Sequence, residues 1–504
     1  MAALRINILS NYAGQAWMAL MGVAFVPLYI RALGMEAFGL IGLMLSIQAL
    51  SMVLDLGMGG ALNRELARRA HDADAAHTSR DLVRTFECLV WPIAGLVAAL
   101  MWLASSQLSN HWLHPEHLSH TETAHAVAIM GLAVALQWPS SFYANGLSGL
   151  EQQPILNLIN AGFATLRGAG VLAVLNWFSP TIEAFMWWFA AMGACQSLLS
   201  ATVLWRSLPH GAGQRARFQV AELQATGRFA GGLLAIMVLS AAVTQLDRIV
   251  LSAMRPLSDL GYFSLALAVA TGMARMIQPM FNALYPRYSK LVALGEPEAL
   301  TQLYHLSNQY LAVIVAATSV VLAVFSRDVV FLWTGDATTA AMVATPLTIL
   351  AMGTALNGLM NLPYALQLAH GWTRLAAMMN LAVLVAGIPF CIWAVNHHGI
   401  SGAALVWLGI NACFVLVGLP LMHRRLMNGE LANWYARDVA PPFIAAVAAG
   451  AAMKWLMSTI PRDIWGVLQL GIASATCLSA AALASPCVRA AILRQLRSFP
   501  ARRS

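Results

Sequence analysis

A chain of 504 residues that is 59% apolar and only 10% charged, with a mean hydropathy of +0.68, lies far from the balance of a soluble globular protein. Such a composition leaves little polar chain for soluble enzymology. The net charge of +8 calls for no nucleic-acid partner, because topology and attraction to anionic membrane lipids account for it.

A spanning helix needs roughly 20 mostly apolar residues, and the sequence divides into about fourteen such blocks. They are expected at 11–30, 37–57, 86–106, 124–146, 155–176, 183–205, 229–253, 259–284, 304–326, 341–368, 373–396, 399–422, 439–459 and 464–486. Blocks of this length predict helices, since a barrel strand needs only ~9–11 alternating residues. The chain therefore reads as an all-α polytopic membrane protein.

Taken in order, the first block carries Asn11 and Gln15 and is too long for the apolar region of a signal peptide, so no cleavable leader is expected. The second carries Gln48 and closes on Asp55. The next gap holds five arginines and the short acidic pair Asp72 and Asp74, with no nucleotide-binding domain around it. The gap from His111 to His125 spaces its first four histidines by three, but Pro115 breaks a continuous helix, so a solvated loop is favoured over a metal ladder. Arg167 lies in the middle of the fifth block. The segment 206–226 has linker composition. The seventh block contains Gln245, Asp247 and Arg248, and the eighth contains Arg275, followed by Gln278 and Pro279. The six cysteines form no CxxC and read as small apolar residues. No cofactor or metal is expected.

The basic residues fall in every second gap. With the N-terminus inside, 21 of the 29 Lys and Arg are cytoplasmic, against five outside (Arg31, Arg255, Arg327, Lys454 and Arg462). Three stand within spans: Arg167, Arg248 and Arg275. This asymmetry predicts both termini in the cytoplasm.

An arginine at mid-bilayer costs roughly 2.5–3.5 kcal/mol on insertion scales and is expected to face a cavity or a partner. Its planar fork matches phosphate oxygens, so Arg167 and Arg275, with Arg248, are candidates for an anionic headgroup. A structural clasp is the competing reading, and for Arg248 it leads because Asp247 is adjacent. Asn11 and Gln15 could line the same path; ordinary interhelical hydrogen bonding would account for them equally well. Asp55 and Asp247 are candidate ion-coupling carboxylates, with a salt bridge or helix-end role as the alternative. No ATP site is possible, because the only lysines, Lys290 and Lys454, follow Ser289 and Met453 and complete no P-loop.

The turn after the first block, Arg31-Ala-Leu-Gly34-Met35-Glu36-Ala-Phe38, recurs as Arg255-Pro-Leu-Ser258-Asp259-Leu-Gly261-Tyr262, an offset of 224 from Arg31 to Arg255. Two six-helix bundles, 1–205 and 227–422, are expected to be related by pseudo-symmetry and joined by the cytoplasmic linker 206–226. Two further helices and a basic tail fill 423–504.

The opening Asn7-Ile-Leu-Ser-Asn11-Tyr12, the span end Pro27-Leu-Tyr29, and the turn Leu33-Gly34-Met-Glu36-Ala-Phe38-Gly39 carry a resemblance. So do Leu54-Asp55-Leu-Gly57 with Asn63-Arg64-Glu65, and Gln245-Leu-Asp247-Arg248-Ile-Val-Leu-Ser252. In their order, over roughly residues 5–425, the chain resembles Wzx-type O-antigen flippases. These form the polysaccharide branch of the multidrug/oligosaccharidyl-lipid/polysaccharide flippase superfamily. The resemblance implies an inner-membrane flippase, not an enzyme, that moves an undecaprenyl-pyrophosphate-linked glycan to the periplasmic leaflet. A glycan polymerase and a chain-length regulator would be its pathway partners. Other readings are a multidrug or metabolite cation antiporter, which an acidic pocket would suit better, a lipid II flippase close in fold, and a membrane glycan polymerase or ligase, which would need a larger external loop than any gap here provides.

Overall fold

A computed structural model describes residues 14–51, 55, 57–69, 76–209, 216–457 and 460–498. Asn11, Asp72 and Asp74 lie outside the described residues. The elements are α1 (14–24), α2 (Val26–Ser51), α3 (Met58–Arg69), α4 (Ala76–Gln107), α5 (His120–Gly149), α6 (Gln153–Trp177), α7 (Ile182–Ser207), α8 (Val220–Met254), α9 (Leu257–Thr271) and α10 (Ala274–Leu294). They continue with α11 (Pro297–Val324), α12 (Ser326–Thr334), α13 (Ala337–Leu359), α14 (Asn361–Ala369), α15 (Arg374–Cys413), α16 (Leu419–Leu426), α17 (Leu431–Asn433), α18 (Ala440–Leu456), α19 (Ile464–Ala484) and α20 (Pro486–Ser498). Among the described residues there is no strand, only one isolated backbone bridge between His114 and Pro256. This is the all-α polytopic class that the apolar blocks required: in hydrocarbon, a helix satisfies its own backbone.

Among the described residues, ten helices are long and apolar enough to cross a bilayer, or eleven if α9 and α10, bent by 41°, form one span. Length and hydropathy thus do not reach the expected count of about fourteen. One reason is that Arg374–Leu426 is a single helical run of 53 residues holding two of the expected blocks. Gly399 (φ 54°, ψ −128°) breaks it between them. Gly34 (φ 85°, ψ 170°) breaks α2 in the same way, in a conformation open to glycine and costly for other residues.

The chain divides into two compact units, Met1–Gly261 and Tyr262–Ser504. In the first, α5 is the central helix, flanked by α4, α7 and α3. Its N-terminus is fixed by a capping box between Ser119 and Glu122. Phe86, Phe142, Tyr143, Leu147 and Leu204 fill the core. The outer faces are apolar as well: α4 exposes Leu96 and Leu103, and α7 exposes Leu198 and Leu199, as lipid contact demands.

The two echoed turns meet within this unit. A side chain at Gly39 would strike the Leu257 carbonyl, and one at Gly261 would strike that of Met35. Met35 to Leu257 and Gly39 to Gly261 are each 222 residues apart, so the contact is reciprocal, in a register two residues from the sequence offset. Glu36, buried beside it, accepts the backbone N–H groups of Glu116 and His117 at 2.7 and 2.9 Å and so anchors the histidine loop.

In the second unit α11 is central, packed on α13, α18 and α19. Tyr288, Tyr304, Leu362 and Trp434 form one core, and Val320, Phe325, Ala446, Ala473 and Cys477 a second.

Candidate functional site

A polar site inside a span is built on α5, α6 and α7. Arg167 projects from α6, and one terminal nitrogen of its guanidinium donates to the side-chain carbonyls of Gln137 on α5 and Gln196 on α7, the latter at 2.6 Å. Both amides are held from behind. Gln196 Nε2 donates to Asn160 Oδ1 at 3.0 Å, and Gln137 Nε2 donates to Ser140 Oγ at 2.9 Å. Ser197 Oγ, donating to the Leu136 carbonyl at 2.6 Å, clips α7 to α5 beside the pair.

All of these partners are neutral. Among the described residues no carboxylate lies within 4.0 Å of the Arg167 guanidinium, and its Nε is buried without an acceptor. A guanidinium has five N–H donors; among the described residues, acceptors are found only for those on one nitrogen. The site is a positive charge, fixed in direction by amide dipoles, with donors left for an anion.

Arg248 is placed differently. Its guanidinium donates to Ser46 Oγ on α2 and Gln245 Oε1, both at 3.1 Å, tying α8 to α2. Its own backbone N–H donates to the Asp247 carboxylate at 2.8 Å. Asp247 is buried, yet it does not clasp the neighbouring guanidinium; among the described residues the two make no ion pair within 4.0 Å. Asp55 accepts the Gly59 N–H at 3.0 Å in the first turn of α3, which is a helix-end contact, and its other oxygen is buried with no partner among the described residues. Gln15 is exposed on α1. Arg275 is exposed on α10, one residue after the bend from α9, with Gln278 and Asn282 bonded to each other farther along at 3.1 Å. The structure therefore joins Arg167 to Gln137, Gln196 and Asn160, which the sequence did not single out as a group. It joins Arg248 to Ser46 and Gln245.

A second polar cluster, in the other unit, is fully paired. His305 on α11 faces Asp438 at 2.5 Å through one ring nitrogen and Glu430 at 3.0 Å through the other. Gln309 Nε2 donates to the second Asp438 oxygen at 3.0 Å, and its carbonyl accepts Ser485 Oγ and Cys487 N–H at the start of α20. Glu430 also accepts Asn433 Nδ2 at 2.6 Å, and this bond first, with His305, holds its carboxyl below the usual range.

The family model for "polysaccharide biosynthesis protein" matches residues 4–292, more than half of the chain. The chain belongs to the polysaccharide biosynthesis protein family. Consistent with this, it is similar to a protein of Shigella flexneri named "Putative O-antigen transporter", 20% identical over 403 residues, or 80% of this chain and 93% of that one. Among solved structures, an inward-facing multidrug resistance MATE family transporter of the MOP superfamily aligns with a TM-score of 0.67 at 13% identity, covering 84% of this chain and 96% of that one. The lipid II flippase MurJ, in an inward closed conformation, aligns at 0.64 and 12% identity over 98% of this chain and 99% of that one. At these identities the likeness shows the fold. This family member has the polytopic helical fold of these structures, and its relatives are named as transporters and flippases, not enzymes.

Proposed function

We propose that the protein is a flippase that carries an undecaprenyl-pyrophosphate-linked oligosaccharide from the cytoplasmic to the periplasmic leaflet by alternating access, for surface polysaccharide synthesis. Arg167 carries the reading. A mid-span guanidinium with neutral partners is suited to an anion that arrives and leaves, whereas a carboxylate partner would already have neutralised it. The name of the Shigella relative and the family match support the class.

On this reading Arg167, Arg275 and Arg248, with Gln15 and Asn11, are the candidate contacts to the pyrophosphate and glycan. The protein sits in the inner membrane with both termini cytoplasmic, as two six-helix bundles, 1–205 and 227–422, with two added helices. Asp55 and Asp247 are the residues through which an ion gradient would act. A charge moved down 100 mV supplies about 2.3 kcal/mol. A glycan polymerase and a chain-length regulator act on the product.

Surface glycan export in cells tests the site. Arg167→Ala and Arg275→Ala should each impair export at matched membrane abundance, and Lys should restore it in part, since it keeps the charge without the fork. Wild-type export by both Ala variants would remove these residues from the path.

A further inference from the structure

Away from Arg167, the first unit carries a groove of about 760 Å³ between α4 and α7, floored by Tyr143 of α5. Its two walls run in opposite chain directions but have the same order of chemistry. Along α4 the groove passes Arg84, Cys88 and Pro92, and along α7 it passes Arg206, Thr202 and Leu198. Each set is spaced by four, so each is one stripe of its helix. Both stripes begin with a guanidinium, pass a small side chain, and end apolar.

One buried carboxylate organises the cationic end. Glu87 Oε1 accepts Tyr143 OH at 2.9 Å and Trp205 Nε1 at 2.7 Å, and Oε2 accepts Arg84 at 3.2 Å. Trp91 Nε1 donates to Tyr143 OH at 3.0 Å, which completes the floor. Glu87 is satisfied on both oxygens, so it fixes the walls without covering the cations. Arg84 keeps 54% of its side chain exposed, Arg206 has no hydrogen bond or ion pair among the described residues, and the Arg80 guanidinium lies 5.3 Å over the Trp205 ring. The groove lining carries two guanidiniums, Arg84 and Arg206, against one carboxylate, Glu87, so this end is net positive.

We propose that this groove binds one anionic phospholipid. The phosphate lies at Arg84 and Arg206, polar headgroup atoms lie against Trp205 and Tyr143, and an acyl chain follows Cys88 to Pro92 and Thr202 to Leu198. A gradient from fork-bearing cations to an apolar exposed surface complements a phosphodiester with a hydrocarbon tail. It does not suit a soluble anion, for which the apolar half of the groove would be idle. The site is independent of the Arg167 reading.

Native mass spectrometry of the full-length protein in mild detergent tests this, with phosphatidylglycerol, phosphatidylcholine of the same acyl chains, and inorganic phosphate as the three probes. Wild type should retain phosphatidylglycerol over phosphatidylcholine by about tenfold, between the effect of one and two basic side chains at an anionic headgroup. Arg84→Gln with Arg206→Gln should abolish that preference. Thr202→Trp fills the exposed middle of the groove while leaving Glu87 and both arginines in place, and it should reduce retention of phosphatidylglycerol about as much. Equal retention of the two lipids by wild type, or undiminished retention of phosphatidylglycerol by Thr202→Trp, would overturn the proposal. So would occupancy by inorganic phosphate that excludes the lipid.

Discussion

Arg167 and His305 are both cationic-type side chains set among helices, and their surroundings are opposite. Arg167 is held by Gln137 and Gln196, with Asn160 behind them, all neutral. His305 is held between Asp438 and Glu430, with Gln309 carrying the network to α20. The contrast separates two uses of a polar group in an apolar fold. A group whose charge is already matched contributes to holding helices together. A group that is oriented but unmatched has donors left over for a ligand.

The largest expected effect lies at the matched site. His305→Ala leaves Asp438, which is 1% exposed, without its ring partner, and should lower unfolding stability by about 3 kcal/mol or more. Thermal unfolding in detergent reads this, and export per folded molecule should change little. A variant as stable as wild type would mean that the cluster does not hold α11 to the 430–438 segment.

The next test converts one region into the other. Gln196→Glu would place a carboxylate where a neutral carbonyl now accepts from Arg167 at 2.6 Å. Stability should be kept or rise, and export should fall about tenfold, corresponding to ~1.4 kcal/mol. Normal export would show that the guanidinium need not be free of a counter-charge.

A smaller effect is expected at Asp55. Asn retains the helix-end acceptor for Gly59, so Asp55→Asn should change stability by less than about 0.5 kcal/mol. A loss of gradient-driven flipping in proteoliposomes would then isolate a coupling role; an unchanged response in both Asp55→Asn and Asp247→Asn would assign these carboxylates to structure alone.

The smallest concerns pH. The Glu430 carboxyl is held below its usual value in the folded state. Its contribution is therefore present above the unfolded pKa, roughly 4.3, and is lost as pH falls through the lower folded value. Unfolding midpoints of wild type and Glu430→Gln should converge in that acid window and differ at neutral pH. A constant difference across the range would contradict the assignment.

Much of this was legible in the chain. Apolar blocks near 20 residues announce spanning helices, and an arginine inside one is costly enough to stand out. The partners of Arg167 were not legible. Gln137 and Gln196 are 30 and 29 residues away, and single amides are common in spans as helix-to-helix bonds. The His305 partners lie 133 and 125 residues away at helix ends, where polar residues are expected in any case. The adjacent pair Asp247 and Arg248 suggested a mutual clasp, but on a helix consecutive side chains diverge, and Arg248 turns to Ser46 and Gln245 instead. The span count fell short where the helical run continues through the polar Asn396-His397-His398 gap and breaks only at Gly399, so two expected blocks share one run.

The central claim is that Arg167 is kept unmatched in order to receive a pyrophosphate. The most direct measurement is the affinity of purified wild type and Arg167→Ala for an undecaprenyl-pyrophosphate-linked oligosaccharide, with the same glycan on an uncharged lipid as the comparison. Charge-assisted hydrogen bonds contribute about 1.5–3 kcal/mol each, so the variant should bind the pyrophosphate form at least about tenfold more weakly and the uncharged form unchanged. Equal affinity of the two proteins for the pyrophosphate form would contradict the account.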